Sequence, residues 1–402
     1  MSRIASWCVV CVFMCTAGSW GQVSLKFFGM HVNHREEHGW PAVRFGTYRL
    51  WDSQTNWNQI SPEKGVYDWS ILDRRLKDAQ EHGVDVLYTF GKTPRWASSH
   101  PDDHQQCGDT PGSCWPPSDL KEDGSGSDQY WKDFVSAIAK HAAGRIQAWE
   151  LWNEPFNKGM WKGTSAQLVR MAQDARTIIK GVDPNAIMVT PPSGIKVERG
   201  KAWLHEYLAA GGGQYADAIS YHAYIPVPEN IVPLLSELKQ TLQQFGLSSK
   251  PIWDSEGSWG PTGEGQDPPA DISRLLILQA AEGISRVMWY SWDNRKLGNL
   301  WNQEEGVKPA AKAYEQLEDW LIGATFDHPC EEKEGTWTCD LHKGDAGSRA
   351  RIVWFANPGS NATYKVPDGY VTQRDLTGNV TALKGGNVSI SNRPILLEQA
   401  HK

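Results

Sequence analysis

Eight short runs rich in β-branched and aromatic residues, alternating with amphipathic helical stretches, predict an α/β fold, a (β/α)8 TIM barrel. After about residue 325 the texture changes to short strands separated by Gly, Pro and Asn, which predicts a small C-terminal β-sandwich. A doubly wound open sheet is the rival, but no Gly-rich phosphate loop follows the first strand.

In chain order, residues 1–21 (MSRIASWCVVCVFMCTAGSWG) place Arg3 before an apolar stretch that ends in small residues, the pattern of a secretory signal peptide. The expected division is a leader at 1–21, a barrel at 22–325 and a sandwich at 326–402, in a protein secreted to the periplasm or the medium. The expected barrel strands are KFFGMHV (26–32), TYRLWD (47–52), VDVLYTF (84–90), IQAWELW (146–152), AIMVTP (186–191), DAISYHAY (217–224), PIWDSE (251–256) and RVMWYSW (286–292). Helical periodicity marks 72–83, 130–144 and 165–181, each closing on a Gly as a helix stop should. The stretch 99–128 is long for a βα loop and is expected at the rim of the barrel mouth. In the tail, TWTCDL, ARIVWFAN, ATYKVP and NVSISN read as strands.

Composition narrows the function. Of 402 residues, 40% are hydrophobic and 22% charged, which excludes a disordered or fibrous chain. Beyond the leader no apolar run reaches the length of a membrane span. The net charge of −7, with no basic cluster, argues against nucleic acid as a partner. The 21 tryptophans are flat amphipathic rings, suited to sugar faces and equally to a core. Outside the leader the cysteines are Cys107, Cys114, Cys330 and Cys339, two close-spaced pairs that suggest two local disulfides in an exported protein. Their spacing lacks the CxxC knuckle of a zinc site.

The chemistry concentrates at two strand ends. WELWNEP (149–155) sets Glu154 where strand four must break, and PIWDSEGSWG (251–260) sets Glu256 at the end of strand seven. One glutamate at a strand end is ordinarily a surface or ion-pair residue. Two facing each other across a barrel, each flanked by Trp, are what glycoside hydrolysis needs: one protonated acid and one ionised partner.

With Asn153-Glu154-Pro155 and Glu256 in these places, the chain resembles the clan A glycoside hydrolases, retaining enzymes on a (β/α)8 barrel. The stretches 57–98 and 152–164 look most like family 39 and its polysaccharide-hydrolase relatives. The resemblance implies that Glu154 is the acid/base, Glu256 the nucleophile, and Asn153 a hydrogen-bond partner of a sugar hydroxyl. It implies that Arg49 holds Glu256 ionised, that Tyr224 orients Glu256, and that His222 supports the acid/base or a sugar hydroxyl. Trp292 would be the floor under the reacting sugar, with Trp289 as the alternative. A carbohydrate substrate is implied, with no cofactor and no metal. By position at or after strand ends, Trp96 and Trp259, with Trp51, Trp57, Trp161 and Trp301, are candidates for sugar stacking, while Lys92 and Arg95 read as rim charges. HREEH (34–38) matches the spacing of a zinc-protease motif, but Gly39-Trp40-Pro41 breaks the helix that motif needs. The rivals to hydrolysis are a non-catalytic sugar-binding barrel and a transglycosylase.

Overall fold

A computed structural model describes residues 21–104, 107, 110–260, 266–344 and 348–400; the expected leader, apart from Gly21, lies outside the described residues. The barrel strands are β1 (Phe28–Met30), β2 (Thr47–Leu50), β3 (Asp85–Thr89), β4 (Ala148–Glu150), β5 (Ile187–Val189), β6 (Ile219–Tyr224), β7 (Ile252–Ser258) and β8 (Arg286–Trp289). Neighbours pair in parallel, and β8 returns to β1. Strand five is split: β5 lies on β4, while Ser193–Gly194, just beyond it, pairs with β6. A bridge from Val189 to Ala218 closes the ring.

Seven helices longer than ten residues follow the strands among the described residues: α1 (Ser70–His82), α2 (Gln129–His141), α3 (Ser165–Val182), α4 (Glu198–Ala209), α5 (Ile231–Gln244), α6 (Pro268–Ala281) and α7 (Pro309–Leu321). Gly83, at φ +65°, ends α1 in the left-handed cap that only glycine enters freely. Thr164 and Gln167 form a capping box that starts α3. The first unit departs from the strand–helix repeat. Arg35–His38 is a single turn that stops at Gly39, and Trp40 fills the missing helix's place, stacked on Phe45 and His82.

Strand alternation sorts the barrel. Val86, Tyr88, Trp149, Ile219, Tyr221, Val287 and Trp289 join the large core shared with the helices. Leu87, Ala148, Val189, Ala218, Trp253 and Met288 form a separate buried cluster, the apolar plug of the barrel interior. One layer further toward the strand ends the inward residues turn polar: Arg49, Thr89, Glu150, Ser220 and Ser255, all buried. The site therefore rests on a packed floor.

The tail is an antiparallel sheet of seven strands running from Ala324–Phe326 to Ile395–Gln399, with Ala362–Lys365 and Asn387–Ile390 paired beside it. Val353, Val366, Ile390 and Leu397 fill the space between. Both expected disulfides are present, Cys107–Cys114 in the long third loop and Cys330–Cys339 in the tail. Among the described residues no helix is long and apolar enough to cross a membrane.

One buried acid makes stability depend on pH. Asp119 Oδ2 accepts the N–H groups of Gln129 (2.6 Å) and Tyr130 (3.3 Å) and so caps α2. Asp128 lies buried beside it, and no amide, hydroxyl or cationic donor among the described residues reaches either of its oxygens. Burial, then a proton shared with Asp174 and the charge of Asp174 and Asp119, push its pKa up to about 8. The folded chain thus binds this proton more tightly than the unfolded one, so stability falls as pH rises from the ordinary carboxylate range through about 8. Asp128→Asn keeps a left-handed backbone (φ +46°) that Asn tolerates. It is expected to raise the melting temperature by a few degrees near pH 9 and by less near pH 5; equal shifts at both would mean that the carboxyl ionises freely in the fold.

Candidate active site

Arg49 is the inward residue between Tyr48 and Leu50 on β2, and its guanidinium is fully buried. Nε and Nη2 donate to Glu150 Oε2 at 2.8 and 2.6 Å, Nη1 to Glu256 Oε2 at 2.8 Å, and Nη2 to Asn153 Oδ1 at 2.8 Å. Glu150 also accepts from Thr89 (2.8 Å) and Ser220 (2.8 Å). Burial opposes the charge on Arg49, but Glu150 and Glu256 outweigh it and hold the guanidinium protonated. Burial likewise pushes Glu150 up, and Arg49 brings it back below its ordinary value.

Glu154 leaves β4 through strained backbone. Trp152 (φ +67°) and Glu154 (φ +41°) both occupy left-handed space, which costs a non-glycine residue roughly 1–3 kcal/mol. Packing holds this turn: Trp152 Nε1 donates to the Met160 carbonyl (2.8 Å), its ring meets Trp161, and the Asn157 N–H returns to the Glu154 carbonyl (2.8 Å).

Glu256 reaches the mouth through a bulge. Tyr221 pairs with Asp254 but His222 with Glu256, so Ser255 is an extra residue and both Ser255 and Glu256 face inward. Ser255 Oγ lies 2.6 Å from Ser220 Oγ and 3.1 Å from His222 Nε2. At Gly257 a Cβ would collide with the Asp254 carboxyl and the Ala223 carbonyl, so the bulge requires glycine there. Tyr224 donates to Glu256 Oε1 at 2.6 Å.

His222 Nδ1 sits 2.9 Å from Glu154 Oε1 and 3.9 Å from Glu256 Oε1. Ligand-type atoms of Glu154, His222 and Glu256 all lie within 4.8 Å of one another, and this is the one such trio among the described residues. It is poorly suited to a metal ion, because the Arg49 cation and the Tyr224 hydroxyl already donate to Glu256. Burial raises the Glu256 carboxyl above its ordinary value despite the charges of His222 and Arg49. Burial also pushes Glu154 upward, but the hydrogen bond and charge of His222, with Arg49, outweigh it and leave Glu154 lowered.

Arg49, Asn153, Glu154, His222, Tyr224 and Glu256 thus come together. The tryptophans do not. Trp292 and Trp259 are 2% and 1% exposed, and Trp289 is fully buried against Trp259, so none of the three offers a ring face to a sugar. The reason is phase. Met288 and Tyr290 carry the inward positions of β8, so Trp289 faces the helices, and the Trp292 N–H returns to the His31 carbonyl within the wall. Trp96 donates to the Ser61 carbonyl and packs edge-on against Trp57 and Tyr130 of α2, away from the carboxylates. Tyr290 stands where the tryptophan was expected. Its ring is edge-on to His31 and Tyr224, and its hydroxyl donates to Asp52 at 2.8 Å.

Arg95 pairs with Asp102 on the exposed rim. The HREEH turn serves structure, with His38 Nδ1 3.0 Å from Asp293 Oδ2. Glu150, Ser220, Ser255 and Tyr290 were missed in the sequence. Strict alternation from Ala148 would have found Glu150, and from Trp253 would have found Ser255, whereas nothing in the spacing announces the bulge that brings Glu256 inward beside Ser255.

No protein-family profile and no curated protein matches the chain. Solved structures do. A family 39 glycoside hydrolase from Bacteroides cellulosilyticus superposes with a TM-score of 0.71 over 89% of this chain and 76% of that one, at 18% identity. The chain has the fold of these enzymes. The catalytic domain of GH30 xylanase C from Talaromyces cellulolyticus gives 0.63 at 12% identity, over 95% of this chain and 98% of that one. A monomeric β-xylosidase from Caulobacter crescentus gives 0.60 at 15% identity, over 94% and 97%.

Removing Arg49 would leave Glu150 buried without its cation. Arg49→Met is expected to destabilise the chain by roughly 3–5 kcal/mol in denaturant unfolding, and adding Glu150→Gln should recover part of that loss. A double variant no more stable than the single one would mean that the pair is not what the fold depends on.

Proposed function

We propose that the chain is a secreted, retaining glycoside hydrolase of clan A, akin to family 39, acting on O-glycosidic bonds of a poly- or oligosaccharide. The observation that carries this reading is the spacing of Glu154 and Glu256, with carboxyl oxygens within 4.8 Å. Retention needs carboxyls about 5–5.5 Å apart, while inversion needs roughly 6.5–9.5 Å to admit a water. The shared fold and the two disulfides agree with an exported hydrolase.

In the first step Glu154 gives its proton to the glycosidic oxygen as the bond from that oxygen to the anomeric carbon breaks, and the Glu256 carboxylate bonds to that carbon from the opposite face. In the second, Glu154, now ionised, takes a proton from water as the water oxygen displaces Glu256, and configuration is kept. Arg49 and Tyr224 donate to Glu256 and favour its ionised form. Burial holds Glu256 high, and the hydrogen bond and charge of His222 hold Glu154 low. Chemistry needs the single proton of the pair on Glu154. A sugar ring seated over the pair supplies that by stripping water from Glu154 while Arg49 and Tyr224 remain on Glu256. Asn153, aligned by Arg49, is set to meet the hydroxyl beside the reacting carbon. Tyr290 lies under the cleaved sugar.

A panel of polysaccharides and aryl β-glycosides tests the assignment. Glu256→Gln is expected to abolish turnover, and Glu154→Gln to lower it by about 10²–10⁴-fold on substrates with poor leaving groups. The first product formed, followed by NMR, should keep its anomeric configuration. An inverted product, or full activity in Glu256→Gln, would overturn the mechanism; tight glycan binding without cleavage would favour a binding barrel. Tyr224→Phe removes a donor to the ionised Glu256, so the acid limb of kcat/KM should move up by about one pH unit. An unmoved limb would mean that the phenol does not tune the nucleophile.

A further inference from the structure

Two buried serines take no part in the proposed steps, yet they join Glu150 to Glu154. Ser220 Oγ, on β6, donates to Glu150 Oε1 at 2.8 Å, and Ser255 Oγ, on β7, lies 2.6 Å from Ser220 Oγ. His222 Nε2 lies 3.1 Å from Ser255 Oγ, and His222 Nδ1 lies 2.9 Å from Glu154 Oε1. Glu150, Ser220 and Ser255 are fully buried. His31 Nε2, 2.9 Å from the Ser255 carbonyl, seats that serine from the β1 side.

This chain of hydrogen bonds has one direction. Burial opposes the charge of Glu150, but Arg49 and its other donors hold it below the ordinary value, so Glu150 can only accept. Each serine has one hydrogen to donate. With that of Ser220 on Glu150, the hydrogen between the two hydroxyls belongs to Ser255. Ser255 Oγ is then left to accept from His222, so Nε2 carries a hydrogen. If Ser255 instead faces Glu150 and Ser220 faces Ser255, the result at Nε2 is the same. Donation from Ser255 to Nε2 would leave no hydrogen either between the two hydroxyl oxygens at 2.6 Å or between Ser220 and the Glu150 carboxylate at 2.8 Å.

A neutral imidazole has a single N–H. With it on Nε2, Nδ1 is bare and faces Glu154 Oε1. That contact is attractive only while a proton lies between the two atoms; without one, a lone pair faces a carboxylate.

Resting on the glycosidase reading, we infer that Ser255 is a positioning residue for the acid: it fixes the imidazole hydrogen on Nε2 and so makes Glu154 and His222 keep one proton between them. Glutamate and histidine then gain and lose that proton as a unit. When Glu154 gives it to the glycosidic oxygen, the pair is left with a lone pair against a carboxylate, and the proton taken from the attacking water relieves this. The bulge of β7 thereby serves both carboxylates, turning Glu256 to the mouth and Ser255 to the histidine behind Glu154. The other charged or titratable groups facing the pair are Arg49, Glu150, Glu256, Tyr224 and His31, and all of them stay in place when Ser255 alone is changed.

The test is nitrogen NMR of the chain with labelled histidine, with the His222 signals assigned by their loss in His222→Gln, beside pH profiles of kcat/KM. At alkaline pH, with the imidazole neutral, the wild type should carry the His222 hydrogen on Nε2. Ser255→Ala removes the acceptor at Nε2 and should move the hydrogen to Nδ1, where it donates to the Glu154 carboxylate. This stabilises the deprotonated pair, so the basic limb should fall by about one pH unit. Ser255→Thr, which keeps the hydroxyl, should restore both readouts. A loss of packing alone would lower kcat and leave the tautomer and the limb where they were. A hydrogen on Nδ1 in the wild type, one still on Nε2 in Ser255→Ala, or an unmoved limb would overturn the inference. Absence of turnover in the wild type on every substrate would count against the glycosidase reading, and the tautomers would still decide the role of Ser255.

Discussion

A guanidinium with no contact to water organises this barrel. Arg49 carries a full charge inside the closed ring, and such a charge is stable there only if every donor finds an acceptor. Its partners come from three places: Glu150 at the end of β4, Asn153 three residues on, and Glu256 on β7. A shift of one residue in either strand would leave one of them buried and unpaired. Register, bulge and turn are therefore not independent features. Each is the arrangement that brings an acceptor to the same fork.

The polar layer is tolerable because of what lies beneath it. Leu87, Ala148, Val189, Ala218, Trp253 and Met288 close the barrel floor, so the charges sit in a rigid, water-poor cup rather than a channel. Low local dielectric strengthens the interactions of Arg49 with both carboxylates and of His222 with Glu154. The same rigidity sustains the left-handed backbone at Trp152 and Glu154, where the Trp152–Trp161 contact and the Met160 carbonyl over-determine the turn.

All eight strands were legible in the sequence, because a barrel strand is marked by its own alternation and β-branched content. The two carboxylates were legible because WNEP cannot continue a strand and Glu256 ends one. What was not legible depends on phase and on what is missing. A one-residue bulge leaves no trace in composition, so the extra residue that brings Glu256 inward beside Ser255 was invisible, and without the phase of β8 the sequence could not show that Trp289 and Trp292 are both buried. The absent first helix was legible only in part: Gly39-Trp40-Pro41 forbade a long helix, but the stacking of Trp40 on His82 in its place is a tertiary fact.

The antiparallel tail is tied to the carboxylate cluster through one unit of the barrel. Trp354, from the tail sheet, donates to Glu229 at 2.8 Å, and Glu229 also takes Arg274 of α6 at 2.9 Å. Arg393 of the tail reaches Asp267, the residue before α6, at 2.8 Å. Because α6 is the helix that follows β7, these contacts fasten the outer face of the strand that carries Glu256. The strand can bulge inward at Ser255 while its helix is held from outside. The two sheets thus act on the same strand from opposite sides. Inside, the barrel pairs the carboxylates through Arg49; outside, the tail keeps the Glu256 unit from drifting away from that pairing.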